Sequence, residues 1–250
     1  MEASARGPRR RGVLAVMLTA FIVACAGFVA LGAWQLERLG WKQALIARVE
    51  RNVNAAPLPL PAPSQWHVFT RADEYRGLQA RGRYAFEREV LVAATTELGS
   101  GYWVLTPLLT AGGAWVLVNR GFVPPDLRTQ VPRGEPQQAV TGLLRFTEPG
   151  GRLLQDNDPA SGRWYSRDVA AIAAKQGLQG PVAPFFLDAR AEQGARGWPR
   201  AGLTVLQFRN HHLVYALTWF ALAAIMAAAI AYLLLDARRG RRLARDATRC

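Results

Sequence analysis

"HLVYALTWFALAAIMAAAIAYLLL" (His212–Leu235) contains no Asp, Glu, Lys or Arg in 24 positions. At about 1.5 Å of rise per residue, a helix of that length reaches roughly 36 Å, enough to cross the hydrocarbon of a bilayer. Near the other end, "VLAVMLTAFIVACAGFVALGAW" (Val13–Trp34) is equally free of charge over 22 positions. Both stretches predict transmembrane helices. A cleaved signal peptide needs a shorter apolar core. "IVAC" (Ile22–Cys25) looks like a lipoprotein cleavage box, but the apolar run continues well past Cys25, where a mature lipoprotein should turn polar. The first stretch therefore reads as a retained helix.

The charge fits this picture. Half of the 250 residues are hydrophobic, yet the formal net charge is +13 and the sequence pI about 11.0. Such values often signal nucleic-acid binding, but here the excess sits beside the apolar runs. The N-terminal tail sets Arg6, Arg9, Arg10 and Arg11 against Glu2; the C-terminal tail sets six arginines against Asp236 and Asp246. More than half of the surplus thus lies in two short tails, which is the positive-inside signature of membrane topology. Arg38, Lys42 and Arg48 pull weakly the other way, but a long loop translocates largely regardless of its charge.

The expected organisation is a basic tail at 1–12, a transmembrane helix at 13–35, a β-rich domain at 36–208, a second transmembrane helix at 212–235 and a basic tail at 236–250. In a bacterial inner membrane both termini would be cytoplasmic and the central domain periplasmic. Cys25 and Cys250 lie in different phases and cannot bridge, and no Cys-x-x-Cys is present, so a thiol redox centre, a c-type haem and a cysteine zinc site lack support.

Between the helices, "QLERLGWKQALIARVERNV" continues in helical fashion until "NAAPLPLPAP" enforces an extended linker. Alternating runs follow: "YRGLQARGRYAF", "REVLVAAT", "GYWVLTPLLT", "GAWVLVNRGFV" and "QAVTGLLRFT", with "ELGSG" and "AGG" suited to hairpins. "RDVAAIAAKQGL" reads as a short helix and "PFFLDA" as a further strand. The fold class is therefore a membrane α+β protein, with two transmembrane helices flanking a mainly antiparallel β-sheet domain that carries one or two short helices.

No catalytic constellation stands out, and an enzyme is not expected. His67 is the only histidine of the central domain, and no nucleophile motif, metal pair or phosphate-binding loop accompanies it. "NRG" (Asn119–Gly121) and "DND" (Asp156–Asp158) read as turns. Chemistry gathers instead at the membrane edge. In "GAWQLERLGWK" (Gly32–Lys42), helical spacing puts Trp34, Arg38 and Trp41 on one face and Gln35, Arg38 and Lys42 on an adjacent one. An aromatic belt with snorkelling cations explains most of this, though not why it extends two turns beyond the hydrocarbon.

At the opening of the second helix His212, Tyr215 and Trp219 fall at i, i+3 and i+7, with small residues Ala216 and Ala223 on the same flank. A partly desolvated imidazole stays neutral more readily, and neutral imidazole ligates metals. A haem would suit the site, with its iron on an axial histidine and its propionates near cations. The plainer reading is a histidine marking the water edge of a helix.

"LGAWQLERLGWKQALI", "GYWVLTPLLTAGGAWVLVNRGFVP", "DNDPASGRWYSRDVAAIAAKQGL" and "GWPRAGLTVLQFRNHHLVYALTWFALA" are similar, in that order, to the successive signatures of the surfeit locus protein 1 family. The resemblance spans 31–223 and implies a non-enzymatic assembly factor for cytochrome c oxidase. Such a protein would bind haem A transiently at the membrane and assist its insertion into the catalytic subunit, with haem A synthase as a second partner.

Carried over by motif, the family's ligand histidine falls on His212, within Asn210, His211, His212, Leu213, Tyr215, Ala216, Thr218 and Trp219. His211 stands where an asparagine is usual, and two adjacent imidazoles point about 100° apart on a helix. The first-helix signature maps onto Gly32, Trp34, Gln35, Leu36, Arg38, Trp41 and Lys42, and the sheet signature onto Asn119, Arg120 and Gly121. The expected site joins His212, Tyr215 and Trp219 to Trp34, Gln35, Arg38 and Lys42, while Asn119, Arg120, Gly121 and His211 serve partner or structural roles. The alternative is a cofactor-free membrane scaffold that stabilises oxidase subunits.

Overall fold

The structure, a computed structural model, describes residues 6–152, 154–191, 197–206 and 208–247, with backbone alone at 6–11 and 240–247. Cys250, Gln207 and the side chains of the outermost tail arginines lie outside the described residues. The chain divides into a helix pair (6–46 with 208–247) and a sheet domain (47–207).

Helix α1 runs unbroken from Arg6 to Asn54, and α3 from His212 to Ala247. Both are long and apolar enough, by length and composition, to cross a membrane. As the helical continuation "QLERLGWKQALIARVERNV" predicts, α1 runs past 35 without a break until the prolines beginning at Pro57 deny it further hydrogen bonds. Within the pair the helices lie antiparallel. Cys25 Sγ donates to the Ala223 carbonyl at 3.5 Å, and Phe28 stacks on Trp219 at 5.7 Å between centroids.

The seam along α1 runs through Leu18, Phe21, Cys25, Phe28, buried Gly32, Gln35, Leu39 and Lys42, with Leu14, Ala24, Leu45 and Ile46 also partly buried. Along α3 it runs through His212, buried Ala216, Trp219, buried Ala223, Met226 and Ile230, with Phe220, Leu222 and Ala229 partly buried beside it. Both seams alternate steps of three and four, the 3.5-residue repeat of helices that wrap one another by knobs into holes. Gly32 sets the closest approach: a Cβ there would come within 2.7 Å of the Phe220 ring.

The sheet domain begins with the last turns of α1. Asn52 Nδ2 donates to the carbonyls of Ala72 and Glu74 at 2.8 and 2.9 Å, tying the helix end to its own domain. Among the described residues nine strands follow: β1 (Leu58–Pro59), β2 (Gly77–Tyr84), β3 (Val90–Thr96), β4 (Gly99–Thr110), β5 (Trp115–Val123), β6 (Gln137–Phe146), β7 (Gly151–Arg152), β8 (Gln155–Asp156) and β9 (Val182–Ala189). Seven form one sheet in the order β1-β2-β6-β9-β5-β4-β3. It closes on itself because β2 also pairs with β4, Gly82 opposite Thr110. Glycine is required there, since a Cβ on Gly82 would meet the Leu109 carbonyl oxygen at 2.3 Å.

The sheet is mixed rather than wholly antiparallel: β1–β2 and β5–β9 run parallel, while β2–β4, β2–β6, β3–β4, β4–β5 and β6–β9 run antiparallel. The β5–β9 crossover spans the segment that includes α2 (Val169–Lys175), and such a connection is what parallel neighbours need. Asp168 caps α2 by accepting from the Ala171 N–H at 3.1 Å.

Alternation divides the core. Val116 and Val118 of β5 join Phe185 and Leu187 of β9 in the interior of the closed sheet, with Leu78, Leu108, Leu144 and Trp66. Leu117 and Phe186 point the other way, under Ile172 of α2 and Trp164. Burial on both faces explains why these strands read as nearly continuous apolar runs.

Candidate functional site

Helix α3 starts where Asn210 Oδ1 accepts the His212 backbone N–H at 3.4 Å. This fixes the phase of the helix, and the seam spacing then turns His212 toward α1. There His212 Nδ1 lies 2.7 Å from Gln35 Oε1, joining residues 177 positions apart. An amide oxygen accepts only, so the ring nitrogen facing it carries the hydrogen, and in the neutral tautomer Nε2 is left with the lone pair. Among the described residues nothing hydrogen-bonds that Nε2. His211 is exposed and contributes its carbonyl to the Tyr215 N–H at 3.2 Å.

The other expected residues divide between two faces. Trp219 is in the seam, stacked on Phe28. Tyr215 is 56% exposed, because the seam steps from His212 to Ala216 rather than to 215. On α1, Gln35 and Lys42 share the seam, and Lys42 Nζ lies 5.0 Å from the Phe208 ring. Trp34, Arg38 and Trp41 form a stack on the adjoining exposed face, with the Arg38 guanidinium 5.5 and 5.9 Å from the two indole rings. His212 thus meets Gln35, while Trp34, Arg38 and Trp41 stack on the adjoining exposed face of α1.

These residues would fit a haem, with His212 as the candidate donor to its iron. One imidazole nitrogen is uncommitted, and Arg38 and Lys42 meet aromatic faces but form no ion pair among the described residues, leaving both charges available to carboxylates. Among the described residues no group of three or more His, Cys, Asp and Glu converges on a metal position.

Asn119, Arg120 and Gly121 lie on β5, not in a turn. Leu105 pairs with Asn119 and Trp103 with Phe122, so Arg120 and Gly121 together oppose the single residue Val104. This is a β-bulge. Gly121 holds φ +131°, and a Cβ there would meet the Arg200 carbonyl carbon at 2.3 Å.

Asn119 Nδ2 donates to Asp188 Oδ1 at 2.8 Å, and its own Oδ1 accepts the Gly121 N–H at 3.2 Å. Arg120 pairs with Glu89 at 2.9 Å and donates to the Pro132 carbonyl at 2.7 Å. All three therefore serve the domain's own framework. "DND" is likewise local: Asn157 Oδ1 accepts from the Tyr165 and Ser166 N–H groups, and Asp158 pairs with Arg163.

Asp188, not anticipated from sequence, is the hub. It is buried and also accepts from Arg145 and Arg167, each at 3.3 Å, and from Thr204 at 3.1 Å. Its only sequence signal is an acid at the end of the apolar run "PFFLDA". Glu148 supports Arg167, and although burial raises that carboxyl, the hydrogen bonds and charge of Arg167 outweigh it and hold Glu148 below the ordinary range.

Two long apolar helices that come before and after a closed mixed sheet in the chain, with polar chemistry gathered where the second helix begins, define the class of molecule. The chain belongs to the SURF1 family, whose profile it matches over residues 22–224. It is 34% identical to human Surfeit locus protein 1 over 218 residues, 78% of this chain and 69% of that protein. The rat protein of the same name is also 34% identical, over 78% of this chain and 68% of its own length. The chicken one is 30% identical over 85% and 71%. The matched region contains Gln35 and His212, with the whole Trp34–Lys42 cluster.

Proposed function

We propose that this protein is a cytochrome c oxidase assembly factor of the bacterial inner membrane that holds haem A between α1 and α3 and assists its insertion into the catalytic subunit. Both termini would be cytoplasmic and the sheet domain periplasmic, with haem A synthase as the source of the cargo. The observation that carries this reading is the His212–Gln35 contact. An imidazole at the mouth of an apolar helix seam is fixed through one nitrogen, leaving the other with a lone pair.

His212 would hold the iron, and Arg38 and Lys42 the propionates. Phe28, Trp219 and the surrounding aliphatic side chains would supply the apolar wall. When bound, the haem supplies the iron and redox centre that the oxidase requires; the chain supplies position, exclusion of water and one donor atom. A single protein ligand keeps release feasible, as a carrier demands.

His212→Ala should strip haem A from protein purified out of cells that make it, while His211→Ala, whose ring is exposed, should keep it. The reverse pattern would move the ligand to His211, and full occupancy in His212→Ala would end the reading.

The second reading is a cofactor-free scaffold. It is favoured by the exposed Trp34–Arg38–Trp41 face, which could lie against a helix of an oxidase subunit, with His212–Gln35 acting as an interhelical hydrogen bond. Its expectation is purified protein without a haem band.

A further inference from the structure

The geometry points to Gln35 as a positioning residue that selects the ligating nitrogen of His212 and sets its strength as a donor. This inference rests on the reading of His212 as the haem ligand. Three observations place Gln35 in that role. Its Oε1 sits 2.7 Å from Nδ1, within hydrogen-bond distance, and it lies in the same seam as the ring. The approach that makes the contact possible is built in one turn away, where Gly32 lets the Phe220 ring press against α1. On the α3 side Asn210 pins the backbone N–H of the same histidine, so its ring and its main chain are each tied to a side-chain oxygen.

Two chemical consequences follow. A free imidazole favours the hydrogen on Nε2, which would occupy the lone pair needed for iron. An acceptor at Nδ1 reverses the preference, and Nε2 becomes the ligand. The acceptor is also neutral. A carboxylate in the same place would draw the Nδ1 hydrogen further and make the imidazole a stronger donor, as in the carboxylate–histidine pairs of resident metal sites. An amide gives orientation without that added basicity, which fits a ligand that must let its cargo go.

The tautomer is testable without cargo. In detergent-solubilised full-length protein labelled with 15N-histidine, the three rings of His67, His211 and His212 can be assigned with single His→Asn variants. His212 should show hydrogen on Nδ1, and Gln35→Met, which keeps the bulk and removes the acceptor, should move it to Nε2. Hydrogen on Nε2 in the unaltered protein overturns the inference.

Titration with haem A supplies the second readout. Gln35→Met should weaken binding by about 10- to 100-fold. Gln35→Glu should retain binding and lower the reduction potential of the bound haem. Equal affinity and potential across all three proteins would also overturn the role of Gln35. If the unaltered protein binds no haem A, the ligand reading falls, and the tautomer measurement still shows whether Gln35 orients the ring.

Discussion

At the residue scale, Asp188 organises the sheet domain. Its carboxylate is 4% exposed and takes hydrogen bonds from Asn119, Arg145, Arg167 and Thr204. Removing one member of such a cluster leaves guanidinium charge with less compensation away from water. Asp188→Ala should therefore cost about 3 kcal/mol or more, read as a fall in the denaturant midpoint of the full chain. A loss below about 1 kcal/mol would show that Glu74 and Glu148 suffice for the two arginines.

Glu148 makes the cluster pH-sensitive. Its folded pKa lies below the unfolded value of about 4.3, so its contribution is complete above that value and is lost as pH falls through the folded one. The denaturant midpoint should drop in that acid range, and Arg167→Gln should flatten the dependence. Little of this was legible in the sequence. Acids and bases 43 and 21 positions apart show no spacing that pairs them, and the strand run "GAWVLVNRGFV" gives no sign of the bulge at Arg120–Gly121.

At the element scale, the strands were legible because apolar alternation is local, and so was the His212 start of α3. The parallel neighbours β5 and β9 and the closure of β2 on β4 were not, since such pairings are settled by contacts far apart in sequence. The α1–α3 seam was half legible. Its apolar part follows the repeat, but near the site it passes through Gln35 and Lys42 while Trp34 and Trp41 stay exposed, so apolar periodicity points to the wrong face.

The seam has a natural reporter in Cys25, whose thiol meets the Ala223 carbonyl. Gly32→Val would push a branched side chain into the Phe220 ring, an overpacking that costs about 1–3 kcal/mol. In a Cys250→Ser background, Cys25 should then react with a small apolar thiol reagent at least about fivefold faster, because one kcal/mol of weakened pairing opens the seam by that factor. An unchanged rate would mean that α1 and α3 do not depend on Gly32 for their approach.

At the scale of the whole molecule, the proposal requires both helices to span one membrane with the tails together on one side. Leu154 is 96% exposed in the sheet domain, so Leu154→Cys offers a label site there. In intact cells with a permeabilised outer membrane, an impermeant maleimide should reach Leu154→Cys and miss Cys250 until lysis. Labelling of Cys250 first would invert the topology and put the His212 end of α3 in the cytoplasm.

The central claim is that the pair of helices carries a haem A site. The most direct test is the haem A content of the unaltered full-length protein purified from cells that synthesise it, with pigment quantified against chain by extraction and absorbance. The account predicts about one haem A per chain, as expected of a single axial ligand at His212. Protein that emerges folded, with α1 and α3 inserted and no haem A, would contradict it.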